Sequence, residues 1–276
     1  MNGDVASIGK ADAVENSISD NRVRLNAIAE RQGKIVWITF SRPQKANALN
    51  SETLSLLIEA IDLAEKEGIA EVAVISGEGT NFCAGADLTE LLSGGSDGVR
   101  NLLSLFREAA HRLERSHLVV LAAVHGAARA GGLEIALACD VILAGNTATF
   151  GDAHLSKGLL PGGGSTVRLP RAIGWQRGKW MILSAEAIDA RQALDWGLVH
   201  KVVDDAKLLA SASDLASTFC RGDRQTMRRA KRLLATVGEQ PMSAALEEEI
   251  VTLEAHWHSD EFQQGVGSFL SRRNGG

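Results

Sequence analysis

Residues 118–145 read LVVLAAVHGAARAGGLEIALACDVILAG, and they supply the central elements of the predicted fold. Its first seven residues, 118–124, are apolar without alternation, which is typical of a strand covered on both faces. The chain then turns through 126–132, continues as an apolar helix-like segment, and reaches a second apolar strand at 141–144. A doubly covered strand followed by a helix therefore lies at the centre of the predicted fold.

Glu134 is the one carboxylate within this apolar helical segment. Burial disfavours the charged form of a carboxyl group, which suits proton transfer near neutral pH. Just before it, Gly131 and Gly132 stand where the helix is predicted to begin and leave their N–H groups accessible. Free N–H groups at the positive end of a helix dipole stabilise a developing negative charge. The sequence therefore predicts an acid/base group beside an anion-stabilising turn.

Length and composition limit the class of protein. The 276 residues are enough to bury about three quarters of the unfolded surface, as one large domain or a domain with an appendage. A net charge of −5 argues against a general nucleic-acid binder. Residues 1–20 lack a targeting pattern, and no charge-free run of 18 apolar residues occurs. We therefore expect a soluble cytoplasmic protein with no membrane segment and a flexible stretch at 1–20.

The three cysteines are odd in number and unrelated in spacing: Cys83, Cys139 and Cys220. This pattern favours reduced thiols over a disulfide or a zinc site, and we expect no metal.

The N-terminal half alternates strands and amphipathic helices. Strand-like runs at 23–29 and 34–40 predict a hairpin, and a helix is predicted from Asn50 or Ser51 to Gly68, followed by a strand at 71–76. The loop 42–50 between them is either a helix-capping loop or a binding loop, and its residues leave both interpretations open.

Two segments of the chain, 77–88 and 161–164, are rich in glycine. In 77–88, Phe82 stands where a dinucleotide fingerprint needs its third glycine, so a loop bringing backbone N–H groups near Ala86 to a ligand is favoured. An amphipathic helix is predicted over 99–113. The Pro-Gly-Gly-Gly segment at 161–164 favours a simple tight loop over close backbone approach to a ligand.

After Asp204 the composition becomes helical, with helices predicted at 207–220, 223–237 and 243–257. The basic run at 228–232 is interpreted as a solvated helix face rather than a nucleic-acid site. Apolar stripes on a tail with little core of its own predict packing against another subunit. The expected division is a flexible stretch at 1–20, a strand-and-helix domain at 21–204 and a helical oligomerisation region at 205–276.

From residue 22 to 273 the chain resembles the crotonase superfamily, the enoyl-CoA hydratase/isomerase family. The resemblance rests on six segments in order: RPQKANALN (42–50), NFCAGADL (81–88), HGAARAGGLEIALACD (125–140), FGDAHLSKGLLPGGGSTVRLPRAIG (150–174), ALDWGLVHKVV (193–203) and SDEFQQGVGSFLSRR (259–273). It implies an α/β fold of ββα repeats wound into a spiral, and C-terminal helices that form trimers or hexamers. It also implies an acyl-CoA thioester substrate and no cofactor beyond the CoA of the substrate.

The resemblance assigns roles to particular residues. The N–H groups of Ala86 and Gly131 correspond to the oxyanion hole that holds the thioester carbonyl and binds an enolate more strongly. Contacts with CoA or the acyl group are implied for Arg42, Lys45, Ala48, Ala84, Asp87, Gly132, Pro161 and Gly162.

Five positions complete the comparison with the family pattern. Glu134 matches the first catalytic glutamate, whereas His154 stands at the position of the second. Asp152 could substitute for that glutamate, although strand alternation is expected to aim it elsewhere. Ala130 replaces the first glycine of the family's triple, and Gly162 stands where the dienoyl-CoA isomerase branch carries an aspartate.

Three functions follow in decreasing order of support. The first is an enzyme that hydrates an enoyl-CoA or moves its double bond through an enolate, with Glu134 as acid/base. The second is a CoA-thioester hydrolase or decarboxylase that uses Glu134 and His154. The third is a catalytically silent acyl-CoA binder or an RNA-binding relative, which the acidic balance disfavours.

Overall fold

The computed structural model describes residues 23–27, 34–238 and 240–274. Its strands are β1 (Val23–Ala27), β2 (Ile35–Phe40), β3 (Val72–Gly77), β4 (Val119–Val124), β5 (Ala127–Arg129), β6 (Val141–Gly145), β7 (Thr149–Gly151), β8 (Ala187–Asp189) and β9 (Lys201–Val203). Its helices are α1 (Ser51–Glu67), α2 (Leu88–Ser93), α3 (Gly95–Arg115), α4 (Gly131–Leu137), α5 (Ser165–Ile173), α6 (Trp175–Ser184), α7 (Ala190–Asp195), α8 (Leu208–Phe219), α9 (Arg224–Thr236), α10 (Met242–Trp257) and α11 (Asp260–Asn274). The predicted flexible stretch at 1–20 and the predicted hairpin turn lie outside the described residues.

The strands form two sheets. The larger has the order β1-β2-β3-β4-β6-β9, in which β1 is antiparallel to β2 and the other pairs are parallel. The smaller contains β5, β7 and β8, with β5 parallel to β7. The prediction of an α/β fold is confirmed.

The central strand β4 is buried at every position, in agreement with its unbroken apolar sequence. Alternate strand residues fill two cores. Ile38 and Ile75 face a large core with α1, α3 and α4, whereas Trp37 and Val74 face a smaller core covered by α8. Strands of a parallel sheet need apolar residues on both faces for this reason.

The helical tail is tied to this sheet through a lysine of the basic run 228–232. Lys231 of α9 is buried, and its Nζ donates to the carbonyls of Leu113 and Leu118 at 3.1 and 2.6 Å and to Oδ2 of Asp140 at 2.6 Å. For this residue the prediction of a solvated face was wrong, because the ammonium group satisfies acceptors at the end of α3 and the start of β4.

The last two helices expose apolar side chains. The predicted helix at 243–257 is present as α10, and a further helix, α11, follows it. Their large exposed apolar residues are Met242, Leu246, Ile250, Val251, Leu253, Trp257, Val266, Phe269 and Leu270. Within the described ranges, none of the helices combines the length and apolarity needed to span a membrane.

Candidate active site

Glu134 lies in the first turn of α4 and is 2% exposed. Ala130, just before the helix, has φ 46° and ψ −117°, a backbone conformation that an L-residue rarely adopts. Such strain persists where the surrounding structure enforces it and is common at functional sites. This conformation of Ala130 turns the chain from β5 into α4 and places Glu134 in the interior.

The glycine-rich loop at 161–164 holds the Glu134 carboxylate. The backbone N–H groups of Gly163 and Ser165 donate to Oε1 at 2.9 and 3.0 Å. A Cβ atom at Gly163 would collide with Oε2, so this approach requires glycine. The segment is therefore more than the simple tight loop that the sequence favoured, because its backbone fixes one oxygen of a buried carboxylate.

The other carboxylate oxygen of Glu134 faces a histidine. Nε2 of His154 lies 3.9 Å from Oε2, and Nδ1 of His154 lies 3.0 Å from Oδ1 of Asp152. Asp152 is fully buried, and its Oδ2 has no hydrogen-bond partner among the residues described. Asp152 therefore lies against His154, just after β7 ends at Gly151 and next to Ala153, which has φ 57°. Its capacity to replace the family's second glutamate stays a prediction.

The surroundings of His154 favour its charged form. Burial by itself disfavours a charge on the ring, but the hydrogen bond to Asp152 and the negative charges of Glu134 and Asp152 outweigh it. The net result is a raised pKa for His154. An imidazolium with one nitrogen held by a carboxylate can donate a proton from the other nitrogen.

Two backbone amides lie close together near this pair. A Cβ atom built on Gly131 would lie 3.3 Å from the Ala86 nitrogen, and one built on Gly85 would lie 3.4 Å from the Gly131 nitrogen. In the described part of the chain, neither Ala86 N–H nor Gly131 N–H donates to another backbone or side-chain group. The Gly131 N–H belongs to the unpaired first turn of α4. Phe106 packs on Gly131 so closely that a Cβ there would lie 2.6 Å from its Cζ.

The position of Ala86 is set by contacts between the loops 42–50 and 81–88. Leu49 donates to the Gly85 carbonyl and accepts from Asp87 N–H, both at 2.8 Å. Ala84 N–H donates to the Ala46 carbonyl at 2.9 Å. The two sequence segments therefore form one backbone-bonded unit beside α4.

An ion pair reinforces this unit. Nη2 of Arg42 lies 2.9 Å from Oδ2 of Asp87, and the two side chains are only 12% and 11% exposed. Burial acts to raise the pKa of Asp87, but the hydrogen bond and charge of Arg42 lower it overall. Arg42 also donates to the Ala48 carbonyl. The side chain predicted to contact CoA is thus engaged within the loop itself.

The other predicted contact residues are distributed around the same unit. Lys45 and Ala84 are exposed, and Gly132 packs so tightly that a Cβ would collide with the Cys83 carbonyl. Pro161 is half-buried and Gly162 is exposed beside a cavity of about 770 Å³. Their roles toward substrate stay predictions.

Possible metal ligands and cysteines are the other reactive groups of the described chain. It contains no group of three or more His, Cys, Asp or Glu side chains able to hold a metal ion. All three cysteines are free thiols. Burial raises the pKa of Cys83 to about 12, against the opposing hydrogen bond with Gly85, so its nucleophilic thiolate is disfavoured.

Comparison with known proteins identifies the family. Residues 30–275 match the sequence profile described as Enoyl-CoA hydratase/isomerase. The chain belongs to this family. It is 35% identical to a 2,3-dehydroadipyl-CoA hydratase of Escherichia coli, over 89% of this chain and 96% of the relative. It is 31% identical to a short-chain-enoyl-CoA hydratase of Clostridium acetobutylicum, over 90% and 95%.

A solved structure agrees with this family membership. The enoyl-CoA hydratase of Bacillus anthracis superimposes with a TM-score of 0.86 at 30% identity, covering 92% of this chain and 97% of that one. The crotonase-superfamily resemblance of the sequence is therefore confirmed, and so is the crotonase fold.

Some residues of this enoyl-CoA hydratase/isomerase site could not be found from sequence reasoning. Glu134 accepts hydrogen bonds from Gly163 and Ser165, which lie about 30 positions further along the chain. The contact between Asp152 and His154 depends on the left-handed conformation of Ala153. The consecutive glycines were the one available signal, because they permit close backbone approach.

Proposed function

We propose that the protein hydrates 2-enoyl-CoA thioesters, with Glu134 and His154 as its catalytic acid–base pair. The observation that carries this proposal is the free Oε2 atom of buried Glu134, 3.9 Å from Nε2 of His154. Because two backbone N–H groups donate to Oε1, Oε2 is the oxygen available to exchange protons. The names of the two hydratase relatives support the same reaction.

The thioester carbonyl is proposed to accept hydrogen bonds from Ala86 N–H and Gly131 N–H. These donors interact more strongly with an enolate oxygen than with a neutral carbonyl, so they lower the barrier. Their closeness and their lack of other acceptors in the described residues support this role.

Hydration then takes three proton transfers, which involve Glu134 and His154. Oε2 of Glu134 takes a proton from water as the water oxygen bonds to C3, and the C2=C3 electrons shift to form the enolate. Nε2 of the His154 imidazolium donates a proton to C2, which gives a 3-hydroxyacyl-CoA. A final transfer from Glu134 to His154 restores both groups. The raised pKa of His154 favours the imidazolium that this step needs.

The test is a hydration assay with crotonyl-CoA. Loss of the ultraviolet absorbance of the conjugated thioester measures the rate, and mass analysis identifies the product. Glu134→Gln and His154→Gln should each lower kcat by about 10²–10⁴-fold. Glu186→Gln and His200→Gln, at exposed positions outside the site, are the matched controls. An inactive wild type, or a Glu134→Gln variant as active as wild type, would overturn the proposal.

The oriented His154 also supports a second candidate. A histidine held by a carboxylate can activate water against the thioester carbonyl, or orient a substrate carboxylate, as a hydrolase or decarboxylase requires. Release of free CoA thiol in the same reactions would indicate a hydrolase, and release of carbon dioxide would indicate a decarboxylase. Turnover of a 3-enoyl-CoA to the 2-enoyl isomer identifies double-bond isomerisation.

We further propose that the protein forms a homotrimer or a dimer of trimers. The exposed apolar side chains of α10 and α11, such as Ile250, Leu253 and Trp257, support self-association because water contact with such a face is unfavourable. Sedimentation equilibrium should give three or six times the chain mass of 29.3 kDa. A monomer at micromolar concentration would contradict this proposal.

A further inference from the structure

One face of α3 is turned toward the cavity rather than toward the core. The cavity-lining residues of this helix follow helical spacing: Ser96, Val99, Arg100, Leu103, Ser104 and Arg107. Leu103 is 37% exposed, although its neighbours Leu102 and Phe106 are buried. The face therefore combines apolar residues with two arginines, and core packing does not account for this combination.

This face is directly connected to the proposed reaction centre. Leu103 lies against Gly162, where an added Cβ would come within 2.6 Å of its Cδ2. The next residue, Gly163, donates to Oε1 of Glu134. Arg100 and Arg107 flank Leu103 by one helical turn, about 5 Å along the axis, in opposite directions.

The charges around the cavity are unbalanced. Arg168 also lines it, but its Nε and Nη2 donate to Glu114 at 2.6 and 2.8 Å, and its Nη1 donates to the Gly163 carbonyl at 2.9 Å. Within the described ranges, Arg100 pairs only with the exposed Asp97 at 3.3 Å, an interaction that contributes little. Arg107 has no hydrogen bond or ion pair with any other described residue, and no acidic side chain lines the cavity.

We propose that this cavity receives an acyl chain with a terminal carboxylate, so that the preferred substrate is the mono-CoA thioester of an unsaturated dicarboxylic acid. Val99 and Leu103 contact the methylene groups, and Arg107 with Arg100 binds the carboxylate. Planar guanidinium groups suit this role because they hydrogen-bond carboxylates through two N–H groups. This inference rests on the proposed hydratase function.

The test compares trans-hex-2-enedioyl-CoA with trans-hex-2-enoyl-CoA, which have equal chain length and differ in the terminal carboxylate. Wild type should favour the dicarboxylic substrate in kcat/KM by about tenfold or more. Arg107→Gln should reduce this ratio by about tenfold, and Arg100→Gln/Arg107→Gln should reduce it further. Arg171→Gln, exposed on α5 and outside the cavity lining, should keep the wild-type ratio.

The outcomes separate this inference from the proposed function. Failure to hydrate either thioester contradicts the hydratase proposal itself. Hydration of both with equal kcat/KM overturns only the carboxylate site. A loss in Arg107→Gln that is equal for both substrates also overturns it, because the arginine would then act on the shared CoA phosphates or on folding.

Discussion

Nδ1 of His154 lies 3.0 Å from Oδ1 of Asp152, and this contact determines which ring nitrogen faces Glu134. A histidine that follows a strand by three residues could otherwise rotate about its side-chain bonds. The buried carboxylate holds the ring and favours its protonated form, since an adjacent negative charge stabilises an imidazolium. We therefore propose that Asp152 is a positioning residue, which acts through His154.

Asp152→Asn tests this relationship. The amide keeps the shape of the side chain but removes the charge that helps to raise the pKa of His154. Activity that needs the imidazolium declines as pH rises through the His154 pKa, so the variant should lose activity at a lower pH than wild type. The measurement is the pH profile of kcat/KM with crotonyl-CoA.

Asp189→Asn is the control, because Asp189 caps α7 through a hydrogen bond from Gln192 N–H that asparagine also accepts. It should keep the wild-type profile. If Asp152→Asn only lowers activity equally at every pH, the charge of Asp152 does not act through His154.

The same contact makes stability depend on pH. The folded-state pKa of His154 is raised, so its contribution is fully present below the unfolded value of about 6.5 and is lost as pH rises through the folded-state value. The free energy of unfolding of wild type should therefore fall as pH rises through this window, and His154→Gln should make that fall smaller. Urea unfolding of both proteins across the window measures it. Parallel curves for the two proteins would contradict the charge assignment.

Gly163→Ala tests the support of Glu134. The added Cβ would collide with Oε2, so the carboxylate or the loop must move and the hydrogen bond to Oε1 must weaken. We expect kcat with crotonyl-CoA to fall by about 10²-fold, since small displacements of a catalytic group have effects of this size. Gly222→Ala, where a Cβ meets open space, should be neutral. Full activity in Gly163→Ala would show that the loop does not position the carboxylate.

The regular elements could be predicted because their patterns are local. The cap of α1 shows this: Asn50 accepts a hydrogen bond from Thr53 N–H at 2.9 Å, and Gly68 ends the helix with φ 70°. Both residue types have strong preferences at those positions. The unbroken apolar run of β4 likewise predicted a strand covered on both faces.

Contacts between distant segments, both in the site and elsewhere in the fold, could not be predicted. Arg42 meets Asp87 across 45 positions, and Lys231 meets Asp140 across 91. The basic run around Lys231 has the composition of a solvated face, and only the tertiary fold shows which of its side chains is buried. Charge composition does not identify the partner of a single lysine.

Arg42→Gln tests the ion pair between the two loops. Removing the guanidinium leaves Asp87 largely buried without its partner, so we expect the free energy of unfolding to fall by about 1.5–3 kcal/mol. The loss should be smaller at acidic pH, because Arg42 lowers the pKa of Asp87 and protonation removes the need for a cation. Urea unfolding at neutral and acidic pH measures this. A pH-independent loss would mean that the contact with the Ala48 carbonyl dominates.

Lys231→Met tests the attachment of α9 to the sheet. Methionine has a similar length but cannot donate to Asp140 or to the carbonyls of Leu113 and Leu118. Among the residues that the structure describes, the Asp140 side chain then keeps only the hydrogen bond from Val120 N–H, at 2.7 Å. Since the Asp140 side chain, which is 29% exposed, loses its cation and two carbonyl groups lose a donor, we expect the free energy of unfolding to fall by about 1.5–3 kcal/mol.

Two further variants show whether this loss comes from the ion pair with Asp140. Arg232→Met, at the next and exposed position of α9, should change the free energy of unfolding by less than about 0.5 kcal/mol. Asp140→Asn should cost less in the Lys231→Met background than in wild type, because the carboxylate has already lost its cation. Additive losses in this double-mutant cycle would show that Lys231 stabilises the fold through the two carbonyl groups rather than through Asp140.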